Sequence, residues 1–375
     1  MEKSGNIPEK DGEKEMEDQE KRKRRRQSRE RQRREAERRE AERKKQERIE
    51  RERIRRKKQV HRQMGILTAA AVLLILLIWG GVTIRAERRE AAAQAAAAAA
   101  KEQEEREQQL AEQQAEEAMG TAMEELQEDL EAAVLDYDGS WSVYVKELEY
   151  DNSFSINNRG IYPASLIKLF AMAATYENME QVLDNETDYL GSSSSAKETI
   201  QTFLENMIEI SDNEAYNELV KLQSSSRDFT EGCSIINEYL QENGYVDTGV
   251  HTTLHPAASS SVKDGLGDNV TSVEDCGKLL EKIYRGTCGS QEDSGEMLHL
   301  LLNQENTLKI PGGLPDGIEV AHKTGETTEV QHDAGIIYGE NTDFILCIMV
   351  DDVTSAAYVY PQIHELTETV YDALN

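Results

Sequence analysis

The chain has 375 residues and a formal net charge of −29, yet residues 21 to 62 are strongly basic, so the acidic excess lies downstream and the two halves face different surroundings. Its four cysteines, Cys233, Cys276, Cys288 and Cys347, have no C-x-x-C spacing, which speaks against a zinc site and against a thioredoxin-type redox centre. Cys347 lies in the apolar run Phe344 to Val350 and reads as a buried small hydrophobe, while the other three leave room for one disulfide.

Residues 1 to 20 are polar and acidic with nothing to bury, and the composition predicts disorder. From Lys21 to Arg62 the chain is almost wholly Arg, Lys, Glu and Gln with no hydrophobic stripe, a solvated charged helix or a disordered arm. No aromatic residues are interleaved for base stacking, so nucleic acid is not the expected partner, and anionic lipid headgroups are. Residues 64 to 84 form an uncharged run long enough to cross a bilayer as a helix. The positive charge upstream keeps the N-terminus cytoplasmic, which puts the remainder outside the cell as a single-pass membrane protein. A cleaved signal peptide is the alternative, and the long charged segment ahead of the apolar run disfavours it. Residues 85 to 119, rich in Ala, Glu and Gln, predict a helical stalk.

Globular texture begins at residue 120. Met123, Leu126, Leu130 and Val134 recur at helical spacing. Asp138-Gly139 turns the chain, and Trp141 to Val145 with Phe154 to Ile156 predicts a hairpin turning at Asp151-Asn152. An apolar helix follows Ser165. Further helices are predicted at Ile200 to Ile210, Glu214 to Leu222, Ser234 to Glu242 and Ser272 to Tyr284. Three strands, Ile318 to Thr324, Gln331 to Tyr338 and Phe344 to Val350, precede a last helix at Tyr360 to Leu374. The sum is an α+β domain over residues 120 to 375, with a mainly antiparallel sheet covered by the two terminal helices and a helical lobe beside it.

The chemistry gathers around Tyr162-Pro163-Ala164-Ser165-Leu166-Ile167-Lys168. A serine and a lysine three residues apart share one helical face, which sets a nucleophile beside a base if burial keeps the amine partly neutral. The spacing alone is weak, since it recurs at Ser194 to Lys197 and Ser260 to Lys263, but only Ser165 leads a continuous apolar run. Two further motifs follow in order, Ser211-Asp212-Asn213 and Lys323-Thr324-Gly325, each present once. With these three motifs the chain resembles the class A β-lactamases and penicillin-binding proteins over roughly residues 120 to 375. Taken singly, each motif also has a bland reading, as a helix cap, a turn or a strand end.

The resemblance implies a β-lactamase/transpeptidase-like fold and an acyl-enzyme at Ser165, with Lys168 as base, Lys323 as the nearby cation that favours a neutral Lys168, and Ser211 relaying a proton to the leaving nitrogen. Asn213 would position the substrate amide and support Lys168, while Lys323 and Thr324 would bind a substrate carboxylate. Gly325 lets the strand approach closely, and the backbone N–H groups of Ser165 and Glu326 would form the oxyanion hole. No metal or cofactor is implied, and His322 and His332 read as structural. The family's β-lactamases carry a loop glutamate that activates the deacylating water. The matching stretch from His255 to Asp268 has no glutamate, only Asp264 and Asp268, so attack on a β-lactam is expected to outrun release. The implied partners are β-lactams or peptidoglycan stem peptides. D-alanyl-D-alanine carboxypeptidase activity and a non-catalytic wall-peptide or β-lactam sensor stand as alternatives.

Overall fold

The computed structural model describes Glu20, Lys23 and residues 64–66, 68–69, 85–255 and 261–375. The expected charged arm at 1–63 and membrane span at 64–84 lie almost wholly outside these residues. Among the described residues no helix is long and apolar enough to cross a membrane.

Residues 108–375 form one compact unit. Helix α1, Arg85–Asp136, runs through Gly120 without interruption, because nothing crowds that position and its neighbours are strong helix formers. Its apolar residues Met123, Leu126, Leu130 and Val134 are buried, as their spacing predicts. Strands β1, Ser140–Glu147, and β2, Ser153–Ile156, make the expected hairpin. Helices α2, Ile167–Glu177, α3, Met179–Leu190, α4, Ser193–Glu209, α5, Asn213–Leu222, and α6, Phe229–Glu242, follow. Then come α7, Val273–Tyr284, and α8, Gln291–Leu302. Strands β3, Glu319–Glu326, β4, Gln331–Tyr338, and β5, Phe344–Asp351, lead to α9, Ala356–Leu374.

The sheet is antiparallel in the order β2-β1-β5-β4-β3, which leaves β3 on an open edge. Alternation along β5 divides the core in two. Phe344, Leu346, Ile348 and Val350 pack under α1 and α9, while Ile345, Cys347 and Met349 face the helical lobe. The lobe is built round α2, whose residues Ile167 to Tyr176 are all buried.

Helices α3 and α8 were not expected. Alpha3 buries only Val182 among its large apolar residues, and α8 is signalled chiefly by the capping box of Ser290 and Asp293. Helix α9 starts a turn earlier than Pro361 suggests, because the Ser355 side chain accepts from the Ala357 N–H and caps it there. All four cysteines are buried and free, so the room left for a disulfide is not used.

Candidate active site

Ser165 lies in a 3₁₀ turn, Ala164–Leu166, immediately before α2, so it enters the helix one turn ahead of Lys168. Ala164 is held at φ +46, a left-handed conformation costing about 1–2 kcal/mol for a residue with a side chain. Ser211, between α4 and α5, has φ +59. Beside it the Asp212 carboxylate accepts from the Ala215 N–H at 2.7 Å and caps α5, which sets Asn213 on the first turn facing α2.

Lys168 Nζ is 2.9 Å from Ser165 Oγ, 2.7 Å from Ser211 O, 2.7 Å from Asn213 Oδ1 and 3.1 Å from Ser211 Oγ. Burial pulls its pKa down to about 7, against the opposing pull of Asp212. A neutral amine has two N–H groups and one lone pair. Ser211 O and Asn213 Oδ1 accept only, so in the neutral form they take the two N–H groups and leave the lone pair to a hydroxyl, of which Ser165 Oγ is nearer than Ser211 Oγ. The orientation of the Asn213 amide is set from its other end, where Nδ2 donates to His255 O at 2.7 Å.

Lys323 Nζ donates to Ser211 Oγ at 3.0 Å and to Thr324 O at 2.9 Å. Its pKa lies well below the ordinary lysine range, first through burial and then through the charge of Lys168. The sequence named burial and the Lys323 cation together as what would lower Lys168. Burial is the cause here, and the repulsion between the two amines is expressed on Lys323.

Beta3 runs close against the serine's turn. A Cβ on Gly325 would sit 2.7 Å from Pro163 O and 3.2 Å from Ser165 N, so only glycine allows this approach. Thr327 N–H donates to Val330 O at 3.0 Å at the β3–β4 turn, and antiparallel alternation then makes Glu326 opposite Gln331 a non-hydrogen-bonded pair. The Glu326 N–H therefore points off the open edge of the sheet rather than into β4. Ser165, Ser211, Thr324 and Glu326 line a cavity of about 450 Å³ whose other wall includes Asn306 and Leu308.

His322 and His332 are structural, as expected. His332 Nδ1 accepts from Val350 N–H at 3.0 Å, so Nε2 carries the proton and donates to Tyr162 O at 2.9 Å, which ties β4 to the loop before Ser165. Burial lowers its pKa to about 4. His322 Nδ1 lies 2.9 Å from Asp333 Oδ1. Of the two loop aspartates, Asp264 pairs with His251 at 2.6 Å and Asp268 pairs on the surface with Lys263 at 2.5 Å. Ser194 and Lys197 of the duplicate motif are exposed on α4. One site residue went unnoticed in the sequence. Lys309 is fully buried and reaches Gly325 O, His332 O and Glu326, and no spacing marks it.

The sequence model described as the beta-lactamase enzyme family matches residues 125–374. No curated protein sequence matches the chain. Among solved structures it resembles a β-lactamase from Sphaerobacter thermophilus DSM 20745, at TM-score 0.53 and 19% identity over 66% of this chain and 96% of that one. It also resembles PBP-A, at TM-score 0.53 and 23% identity over 66% and 95% of the two chains. A variant of PBP-A, solved as an acyl-enzyme with penicillin G, matches at TM-score 0.52 and 22% identity over 67% and 96%. With the family model spanning the whole folded domain and these structures sharing its fold, the chain belongs to the beta-lactamase enzyme family.

Proposed function

We propose that the domain is a serine hydrolase acting on β-lactam amide bonds, acylated at Ser165 and slow to release the acyl group. The observation that carries this reading is the 2.9 Å contact between Lys168 Nζ and Ser165 Oγ, at an amine whose pKa burial lowers to about 7. In the first step Ser165 Oγ bonds to the lactam carbonyl carbon as its proton passes to Lys168 Nζ. Oxyanion charge collects on the carbonyl oxygen, for which the N–H groups of Ser165 and Glu326 are the donors. The C–N bond then breaks, and the nitrogen takes a proton from Ser211 Oγ, which is replenished from Lys168. Asn213 orients the substrate amide, and Lys323 with Thr324 receives its carboxylate. The 450 Å³ cavity suits a molecule of that size.

Release requires a base for water, and the carboxylates of Asp264 and Asp268 are engaged by His251 and Lys263. This favours a second reading, in which the natural substrate is a peptidoglycan stem peptide and a β-lactam acts as a long-lived acylating mimic. A chromogenic cephalosporin mixed with the protein should give a burst of one equivalent followed by a much slower steady rate. Multiple turnover without a burst would refute slow release, and D-alanine freed from a pentapeptide would establish the second reading.

The same proposal includes topology. Residues 64–84 cross the cell membrane, with the N-terminus cytoplasmic, the arm against anionic headgroups and the domain outside. Protease added to intact cells should remove residues 85 to 375, and their survival would reverse the orientation.

A further inference from the structure

Lys309 is a buried cation that the acylation steps above do not use. It precedes a 3₁₀ turn, Ile310–Gly313, whose Ile310 N–H donates to Asp333 Oδ2 at 3.0 Å, so its backbone is fixed against β4. Its Nζ lies 3.0 Å from Gly325 O, 3.0 Å from His332 O and 3.1 Å from Glu326 Oε2. The Tyr360 ring, 5.9 Å away, covers it. Burial lowers the Lys309 pKa and the charges of Glu326 and Asp333 oppose that, and three oxygen acceptors at hydrogen-bond distance match the three N–H donors of the ammonium form. A neutral amine would turn its lone pair on one of these oxygens.

The location of one acceptor matters most. Gly325 O and Glu326 N–H are the two ends of one peptide group. The carbonyl end points toward β4 and receives Lys309, while the N–H end points off the open edge of β3 toward the cavity. A charge-assisted hydrogen bond to a peptide carbonyl draws electron density from its nitrogen and makes the N–H a stronger donor, the more so in a buried setting.

We propose that Lys309 is a positioning residue for acyl transfer, whose ammonium polarises the Gly325–Glu326 peptide so that its N–H binds the developing oxyanion more strongly than an ordinary strand N–H. This inference rests on the acyl-transfer reading above. The polarisation acts on charge that appears in the transition state, so it affects the acylation rate constant and leaves ground-state binding of the substrate almost unchanged. Losing an oxyanion donor outright costs about 10²–10³ in rate, and weakening one that remains should cost about tenfold.

The test compares the wild type with Lys309→Met and Lys309→Arg, using fluorescent penicillin to separate the non-covalent dissociation constant from the acylation rate constant. Infrared spectroscopy of the acyl-enzyme, with the ester carbonyl labelled with carbon-13, reports hydrogen bonding in the oxyanion hole directly. Lys309→Met should acylate about tenfold more slowly, bind within about twofold of wild type, and shift the ester band to higher wavenumber. Lys309→Arg should restore both rate and band. An unchanged rate and band in Lys309→Met, or a loss confined to binding, overturns the proposal. If Lys309→Met does not fold, Lys309→Gln decides, because its amide can still donate to Gly325 O but carries no charge. It should acylate more slowly than wild type with the ester band at higher wavenumber, and a wild-type rate and band overturn the proposal. A wild-type protein that no penicillin labels refutes the acyl-transfer reading itself, a result distinct from either outcome.

Discussion

The protonation state of Lys168 is open to a sharp test through Asp212. Burial lowers this amine from 10.5 to about 7, so about half is neutral at pH 7, against roughly one part in three thousand for an ordinary lysine. The shift corresponds to about 5 kcal/mol of differential stabilisation, which the packed interior of α2 supplies. Asp212 opposes it, since its negative charge favours the ammonium. Asp212→Asn removes that charge and keeps the cap on α5, because asparagine is as good a capping residue as aspartate. In the proposed mechanism neutral Lys168 is the active form, so acylation is lost as pH falls through its pKa. Wild type should show an acid limb near pH 7, falling tenfold per unit below it. In Asp212→Asn the limb should move down by up to about one unit, so that at pH 6 the variant acylates faster than wild type. Stopped-flow acylation by a fluorescent penicillin between pH 4.5 and 9 measures both profiles. A wild-type limb in the ordinary lysine range, or an Asp212→Asn limb that stays put or rises, would refute the neutral-base reasoning.

Three other predictions follow from the geometry. Gly325→Ala forces a methyl against Pro163 O at 2.7 Å and Leu166 N at 3.1 Å, so it should destabilise the fold by about 1–3 kcal/mol in urea titrations and slow acylation about 10²-fold by displacing β3 from Ser165. Ser211→Ala removes the hydroxyl between Lys168 and Lys323 and should slow acylation by about 10²–10⁴-fold while binding persists, as equilibrium binding at short times would register. His255→Glu places a carboxylate where the loop backbone meets Asn213, and should shorten the acyl-enzyme lifetime and raise steady cephalosporin turnover, whereas an unchanged lifetime would mean the loop is not the missing element.

The residues of the candidate site were readable from sequence because they sit in short motifs whose spacing fixes their local geometry. Ser165 and Lys168 are one turn apart whatever the surroundings, and Ser211 to Asn213 is a cap followed by a helix. The sheet was readable because β5 is an apolar run, β1 and β4 carry β-branched and aromatic residues, and turn residues bound each of them. Helix α3 was hidden because its acidic, polar sequence buries little, and the start of α9 because a proline lies inside it. Lys309 was hidden for a different reason. Its partners are backbone carbonyls on β3 and β4, and a lysine that binds carbonyls leaves no side-chain pattern in the sequence. The burial that lowers Lys168 was legible in the apolar run after Ser165, whereas which of the two lysines carries their mutual repulsion was not, since that is set by the packing of α2 against its neighbours.

The central claim is covalent attack by Ser165 on an activated amide, and mass spectrometry of the protein after brief exposure to benzylpenicillin tests it most directly. One molecule of intact penicillin should be added per chain, and the modified peptide should contain Ser165. The adduct should be absent from Ser165→Ala. No adduct with benzylpenicillin or with a cephalosporin or carbapenem, or an adduct that survives in Ser165→Ala, would contradict the account.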